Sequence, residues 1–132
     1  ADLIGPLDRP HQFVYIPDVG PLVLKLAAHP GAQGRVWHFC GSGLTSQQEV
    51  LAEIERQTGR PLKRRVLGKG VLRLLGLFNR MLRELVEMHY LFTNPVLMDD
   101  RALEGLLGPV SRTPYAEGIR STLEYESARQ AK

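Results

Sequence analysis

The sequence predicts a helix-rich α/β fold with two or three short strands, and three observations carry that prediction. In residues 71–92 the apolar positions Leu74, Leu75, Phe78, Leu82, Leu85 and Val86 recur at three- and four-residue intervals, as a buried helical stripe requires. Two short runs, HQFVYI and RVWHFC, are instead dense in aromatic and β-branched residues and stop at Pro17 and Gly41. Capping residues stand before the periodic segments, and glycine or proline stands behind them.

Residues 11–16 read as the first strand, ended by Pro17. Asp18 then occupies an N-cap position ahead of VGPLVLKLAAH, with Pro21 in the first turn and the turn His29-Pro30-Gly31 beyond it. Residues 35–40 read as a second strand buried on both faces, because Val36, Trp37, Phe39 and Cys40 nearly succeed one another; Gly41-Ser42-Gly43 breaks it. Thr45 with Gln48, or Ser46 with Glu49, forms a capping box for a helix that places Val50, Leu51 and Ile54 on one face and ends at Gly59. Residues 62–67 read as a third strand despite their basic charge. Gly68 and Gly70 flank the start of the long apolar helix, Gly76 and Asn79 divide it, and Asn94-Pro95 ends it. Residues 99–107 form a short helix capped by Asp99 or Asp100 and closed by Gly108-Pro109. Thr113-Pro114 opens the last helix, with a stripe of Tyr115, Ile119, Thr122 and Leu123.

At 132 residues the chain suffices for one ordinary domain, residues 1–132, but not for a complete two-domain enzyme. A hydrophobic content of 43% excludes collagen-like and disordered classes, and the lone Cys40 excludes a disulfide scaffold. The polar residues 1–10 make no signal peptide, and charges interrupt residues 71–92 too often for a bilayer span. The expected location is therefore the cytoplasm, without a membrane partner. One dense basic patch runs from Arg60 through Lys63, Arg64, Arg65 and Lys69 to Arg73. A solvated surface is its first reading, and a free-standing module for an anion or nucleic acid is the alternative. No aromatic residue interleaves with the bases to stack on single-stranded nucleic acid, so a nucleic-acid partner is disfavoured.

The chemistry is defined by what is missing. No Gly-x-Gly-x-x-Gly run follows a strand, and Gly41-Ser42-Gly43 reads as a turn into a capped helix in preference to a phosphate cradle. His11, His29, His38 and His89 are scattered without ligand-like spacing, which argues against a metal site. His38 reads as a core or sheet-face histidine, and Cys40 as a buried structural thiol; a small Cys/His hydrolase built on Cys40 has only composition in its favour. No tyrosine has a lysine four residues later, because Val19, Asn94, Ile119 and Arg129 stand at those positions.

The succession HQFVYIPDVG, GRVWHFCG, LTSQQEVLAEIERQTGRP, DDRALEGLLG and TPYAEGIRSTLEY resembles the carboxy-terminal part of the NAD-dependent epimerase/dehydratase family, the extended short-chain dehydrogenases/reductases. The resemblance runs along nearly the whole chain and implies a substrate-binding domain with the late edge of a Rossmann sheet. It implies that the amino-terminal dinucleotide-binding domain, with its glycine-rich loop and Tyr-x-x-x-Lys pair, is a missing partner. The parent is then an oxidoreductase or isomerase using NAD or NADP on a small-molecule substrate, whereas this chain has no catalytic or cofactor-binding residue and no activity alone. The family's Arg-Asp-Phe-Ile-Tyr-Val-Asp-Asp strand falls on His11 to Asp18, so His11 replaces an arginine that contacts diphosphate in the sugar-nucleotide enzymes. That departure favours another small substrate. His11, Gln12, Tyr15, Lys69 and Tyr90 are the candidates for lining the substrate cleft. The resemblance further implies an apolar face, carried by Trp37, Phe39 and the Leu74–Phe92 stripe, that is left exposed and drives self-association.

Overall fold

The computed structural model describes residues 2–130. In chain order these form strand β1 (Asp2–Ile4), strand β2 (Pro10–His11), helix α1 (Ile16–Ala28), a 3-10 turn (Pro30–Ala32), strand β3 (Thr45–Ser46) and helix α2 (Gln47–Thr58). Strand β4 (Arg65–Leu67) follows, then helices α3 (Lys69–Gly76), α4 (Arg80–Glu87), α5 (Tyr90–Thr93), α6 (Arg101–Leu107) and α7 (Tyr115–Gln130). The fold class is the helix-rich α/β arrangement with few short strands that the sequence predicts. β1 pairs with β4 and β2 pairs with β3. Among the described residues no helix is long and apolar enough to cross a membrane.

The chain divides into two compact units, one made of the residues up to His11 with Ser46–Val96, the other of Gln12–Thr45 with the residues from Leu97 onward. In the first unit β1 and β4 run parallel, with Asp2 opposite Arg65, Leu3 opposite Val66 and Ile4 opposite Leu67. The residues at β4 fall within the predicted third strand; the pairing strand β1 lies in the segment read only as polar and no signal peptide. Ser46 closes the capping box of α2: its hydroxyl accepts the Glu49 N–H at 3.1 Å while the Glu49 carboxylate accepts the Ser46 N–H at 2.8 Å. Gly59, at φ 65°, ends that helix in the left-handed conformation that only glycine adopts without strain. The long apolar segment is divided where Gly76 and Asn79 stand. The Asn79 carboxamide caps α4 through the Met81 N–H at 2.9 Å, and a Cβ on Gly76 would sit 3.1 Å from Arg83 Cα, so glycine lets α3 and α4 close into a hairpin. The core of this unit holds Leu51 and the fully buried Leu72.

The predicted stripe of the hairpin is not a buried one. Leu74, Leu75 and Phe78 are exposed, Leu82, Leu85 and Val86 are half-buried, and Leu72 takes the interior position. The two α3 leucines flank the buried ridge of Leu72 and Gly76 and turn outward.

The second unit encloses Leu22, Ala32, Cys40 and the fully buried Leu103. Here two expectations are corrected. Residues 12–15 are not strand: β2 ends at His11, and α1 starts at Ile16 with Tyr15 at its N-cap position. Pro17 initiates α1 instead of ending a strand, because a proline in the first helical turn forfeits an N–H that has no helical acceptor there. Asp18 therefore lies inside the first turn and caps nothing. Residues 35–40 likewise form no strand, with Val36 and His38 exposed, Trp37 and Phe39 half-buried and Cys40 buried. That alternation buries one face only, so His38 is a surface residue and no core histidine. Trp37 gains its shielding from the Ala32 carbonyl, which accepts the indole N–H at 2.9 Å, and from the Arg35 guanidinium 4.5 Å over its ring. In α7 the stripe keeps Tyr115, Ile119 and Leu123 half-buried, but Thr122 is exposed and Gly118 is buried in its place.

Candidate functional site

The second unit concentrates its polar geometry around residues 12–18, held from three sides. The Gln12 carboxamide reproduces a strand pairing with one residue: its Nε2 donates to the Met98 carbonyl at 3.3 Å and its Oε1 accepts the Met98 N–H at 2.7 Å. One residue on, the Tyr115 hydroxyl accepts the Phe13 N–H at 3.3 Å, with the Gly43 and Phe13 carbonyls 2.5 and 3.2 Å away as acceptors for its single proton. Asp18 then receives the N–H and the hydroxyl of Thr113 at 2.8 and 2.7 Å. Residues 12–15 are thus held by side-chain bonds in place of a β partner.

Beside this lies an ionic cluster. Arg112 donates to Asp100 and lies 2.7 Å from both Asp100 Oδ2 and Glu104 Oε1, with its guanidinium 5.8 Å over the Phe39 ring. Asp100 also accepts the Cys40 N–H at 3.1 Å. Burial pushes the Asp100 carboxyl up, but the bonds from Arg112 and from the Cys40 N–H outweigh it and hold it below the ordinary aspartate range. Cys40 moves the opposite way. Burial, then the Asp100 charge, raises its thiol above the ordinary value of 9.0, and the Sγ–H donates to the Met98 carbonyl at 3.1 Å. A protonated, donating thiol beside a carboxylate is no nucleophile, so the hydrolase reading of Cys40 fails on its own geometry.

The five predicted cleft residues fall into both units. His11 ends β2 half-buried, Lys69 begins α3 exposed, and Tyr90 begins α5 exposed, all in the first unit. Gln12 and Tyr15 belong to the second, where they share the pinned segment. Gln12 spends its amide on Met98, and Tyr15 lays its ring against α7, where a Cβ on Gly118 would come within 3.1 Å of Tyr15 Cδ2. Sequence reasoning missed Asp100, Arg112, Thr113 and the anchoring role of Tyr115. The bonds to Cys40, Asp18 and Phe13 span 60, 95 and 102 residues, and only the Thr113-Pro114-Tyr115 cap marks their neighbourhood in the sequence.

No group of three or more His, Cys, Asp and Glu side chains fit to hold a metal occurs among the described residues. A dinucleotide does not fit the two features that come nearest to a phosphate cradle. Gly41, at φ 64°, leaves no room for a phosphate: the place of its missing Cβ is taken by the Phe13 carbonyl oxygen, 2.1 Å away. The N-terminus of α2 has its donors committed, with Ser46 N–H on Glu49, Gln48 N–H on the Leu7 carbonyl and Glu49 N–H on Ser46, and the Glu49 carboxylate repels a further anion.

The chain matches no family model and no curated protein sequence. Solved structures similar to it include two of one reductase. One is the NADPH-dependent quinone oxidoreductase QOR2 of Escherichia coli complexed with NADPH, at a TM-score of 0.66 and 19% identity over 92% of this chain and 45% of that one. The other is described as a new type of NADPH-dependent quinone oxidoreductase (QOR2) from Escherichia coli, at a TM-score of 0.66 and 18% identity over 92% of this chain and 46% of that one. The chain spans less than half the length of either neighbour, and it carries the fold of a part of an NAD(P)-binding reductase.

Proposed function

We propose that this chain is the substrate-shaping, carboxy-terminal part of an NAD(P)-dependent oxidoreductase of the extended short-chain type, related to the epimerases and dehydratases. The nicotinamide cofactor is then held by a Rossmann domain supplied by residues outside this chain. The observation that carries the reading is the superposition of 92% of the chain on under half of an NADPH-dependent reductase. Two features of the molecule support it. Residues 35–40 alternate in burial as a one-faced strand does, yet have no strand partner among the described residues, as expected of a strand whose neighbour lies elsewhere. The phosphate-cradle positions are filled by Phe13 and Glu49, so the pyrophosphate must be bound by other groups.

In this reading the pinned segment from Gln12 to Tyr15 forms a rigid wall of the substrate pocket. Tyr115, Gln12 and Asp18 act as positioning residues, fixing the wall so that the pocket needs no reordering when a small substrate enters. The chain's own residues orient substrate and exclude water; they do not move hydride.

The test compares this chain with the product of the full reading frame. Each is titrated with NADPH by nucleotide fluorescence and assayed for NADPH oxidation with a quinone acceptor. The chain alone is expected to leave NADPH fluorescence unchanged and to give no turnover, and the longer product is expected to bind it. Turnover by the chain alone, or a full reading frame that binds no nicotinamide nucleotide, overturns the proposal.

A further inference from the structure

Helix α1 of the second unit is apolar on both sides. Its inner side carries the buried Leu22 with the half-buried Val19 and Leu26. Its outer side is open: Ile16 is 75% exposed, Val23 53% and Leu24 73%, and their spacing of i, i+7 and i+8 sets them on one face. Gly20 lies on that face, and no atom comes within 4 Å of a Cβ added there. Lys25 is the only exposed residue of α1 with a polar side chain. A helix without a polar face is built to be enclosed, and this unit encloses one side of it.

We infer that the outer face of α1 docks on apolar elements of the Rossmann domain outside this chain, an inference that rests on the reductase reading above. The chain superposes on 45% of its structural neighbour, so more than half of that fold has no counterpart here. The local order of elements supports the same occupant. α1 leads through the turn Pro30–Ala32 into residues 35–40, which alternate in burial like a strand but have no ladder among the described residues. The Trp37 indole N–H, donated to the Ala32 carbonyl at 2.9 Å, ties that segment back to the turn. A helix, a short connection and a strand are the repeating half of an α/β layer, where the helix is enclosed by the sheet its strand joins and by the helices beside it. Two other occupants fit less well. An anionic lipid surface needs bases around the apolar face, and α1 has one, Lys25. A second copy needs area. A helix of 13 residues is about 20 Å long and about 10 Å wide, so one face offers on the order of 200 Å², against the ~800 Å² that each partner of a stable dimer contributes. Within one polypeptide no such threshold applies, because the linkage keeps the effective concentration of the two surfaces high.

The test introduces a reporter thiol on the face, Leu24→Cys, in this chain and in the product of the full reading frame. Position 24 is exposed here and cysteine behaves as a small hydrophobe, so both proteins are expected to fold, which circular dichroism checks. Peptide mass analysis separates the new thiol from the buried Cys40. In this chain iodoacetamide is expected to modify position 24 as fast as it does in urea. In the longer product it is expected to react at least about tenfold more slowly, as a site reached only through local opening does. Equal, fast labelling of both proteins overturns the inference, and if the longer product binds NADPH the reductase reading stands without it. Protection in a longer product that binds no NADPH upholds the contact of α1 with the remaining residues of the parent and removes the reductase reading alone. Protection in this chain by itself, growing with its concentration, points to a second copy and overturns the inference.

Discussion

The Asp18 carboxylate accepts two hydrogen bonds from Thr113, the N–H at 2.8 Å and the hydroxyl at 2.7 Å, and so ties the first turn of α1 to the residue that precedes the Pro114-led entry into α7. The two residues are 95 positions apart. Because α1 and α7 flank the pinned segment at residues 12–15, this one acceptor sets the angle at which the proposed pocket wall is presented.

Asp18→Ala removes both bonds and leaves the Thr113 donors half-buried, so it should cost about 2 kcal/mol of stability, the usual value for a charge-assisted bond lost with its partner left behind. Asp18→Asn retains one acceptor oxygen, and the Thr113 hydroxyl can turn to accept from the amide; its cost should be near half of that. Urea unfolding of the three proteins followed by circular dichroism checks the order. Equal stability of Asp18→Ala and the parent chain would show that the contact carries no energy.

Asp100 should give this chain an acid-labile component of stability. Its carboxyl titrates below the ordinary 3.8 in the folded chain, because the bonds from Arg112 and the Cys40 N–H prevail over burial. The folded state therefore binds the proton less readily than the unfolded state. The associated stability is fully present above the unfolded value and is lost as pH falls through the lower, folded one. Arg112→Met removes the opposing charge, so Asp100 should titrate higher and this stretch of the acid limb should flatten. The chain should also lose about 2 kcal/mol near neutral pH, since a partly buried carboxylate is left with one donor fewer. Urea midpoints measured from pH 2 to pH 6 on both proteins decide it.

What the sequence disclosed and what it concealed divide along the range of the interactions. The capping box at Ser46 and Glu49, the stop at Gly59 and the break at Gly76 and Asn79 depend on residues within a few positions of one another, and all are where the sequence places them. The extended segments failed as strands because a strand is defined by its neighbour. HQFVYI has the composition of a strand, yet it is held by the Gln12 side chain on the Met98 backbone and by the Tyr115 hydroxyl on the Phe13 backbone. RVWHFC, expected to be buried on both faces, buries only one and finds no ladder among the described residues. Of the candidate site, Gln12 and Tyr15 were legible as positions but not as roles. Nothing local to Gln12 announces that its amide will stand in for a β partner, or that the Tyr15 ring will pack tightly against Gly118 of α7.

Cys40 should resist alkylation. Its thiol is buried, donates to the Met98 carbonyl, and has a pKa raised above 9.0 by burial and by the Asp100 charge. Iodoacetamide should therefore react far more slowly with the folded chain than with the chain in urea, and the folded rate should still be climbing above pH 9. The linkage runs opposite to that of Asp100: a raised folded pKa gives stability that is complete below the unfolded value and is lost as pH rises through the folded one. Cys40→Ala should remove that alkaline component. A folded-state rate equal to that in urea would mean that the thiol is not enclosed.

Two glycines with nearly the same φ should tolerate alanine very differently. Gly41 at 64° and Gly59 at 65° both occupy the left-handed region, where a non-glycine residue costs roughly 1 kcal/mol. Around Gly59 nothing lies within 4 Å of an added Cβ, so Gly59→Ala should cost only that conformational amount and the C-terminal turn of α2 should survive. At Gly41 the added carbon would fall 2.1 Å from the Phe13 carbonyl oxygen and 3.4 Å from Val14 Cα, both backbone atoms without a rotamer to yield. Gly41→Ala must therefore move the 12–15 segment off Tyr115 and Met98 or displace the turn at 41–43, and should cost more than about 3 kcal/mol once the strained conformation and the lost anchoring bonds are combined. Thermal unfolding of the two variants measures the contrast, and a proton spectrum of the Tyr115 and Met98 surroundings reports which side moves. Equal, small losses at both positions would mean that residues 12–15 are not held against the Gly41 turn, and would remove the rigid wall on which the proposed substrate pocket depends.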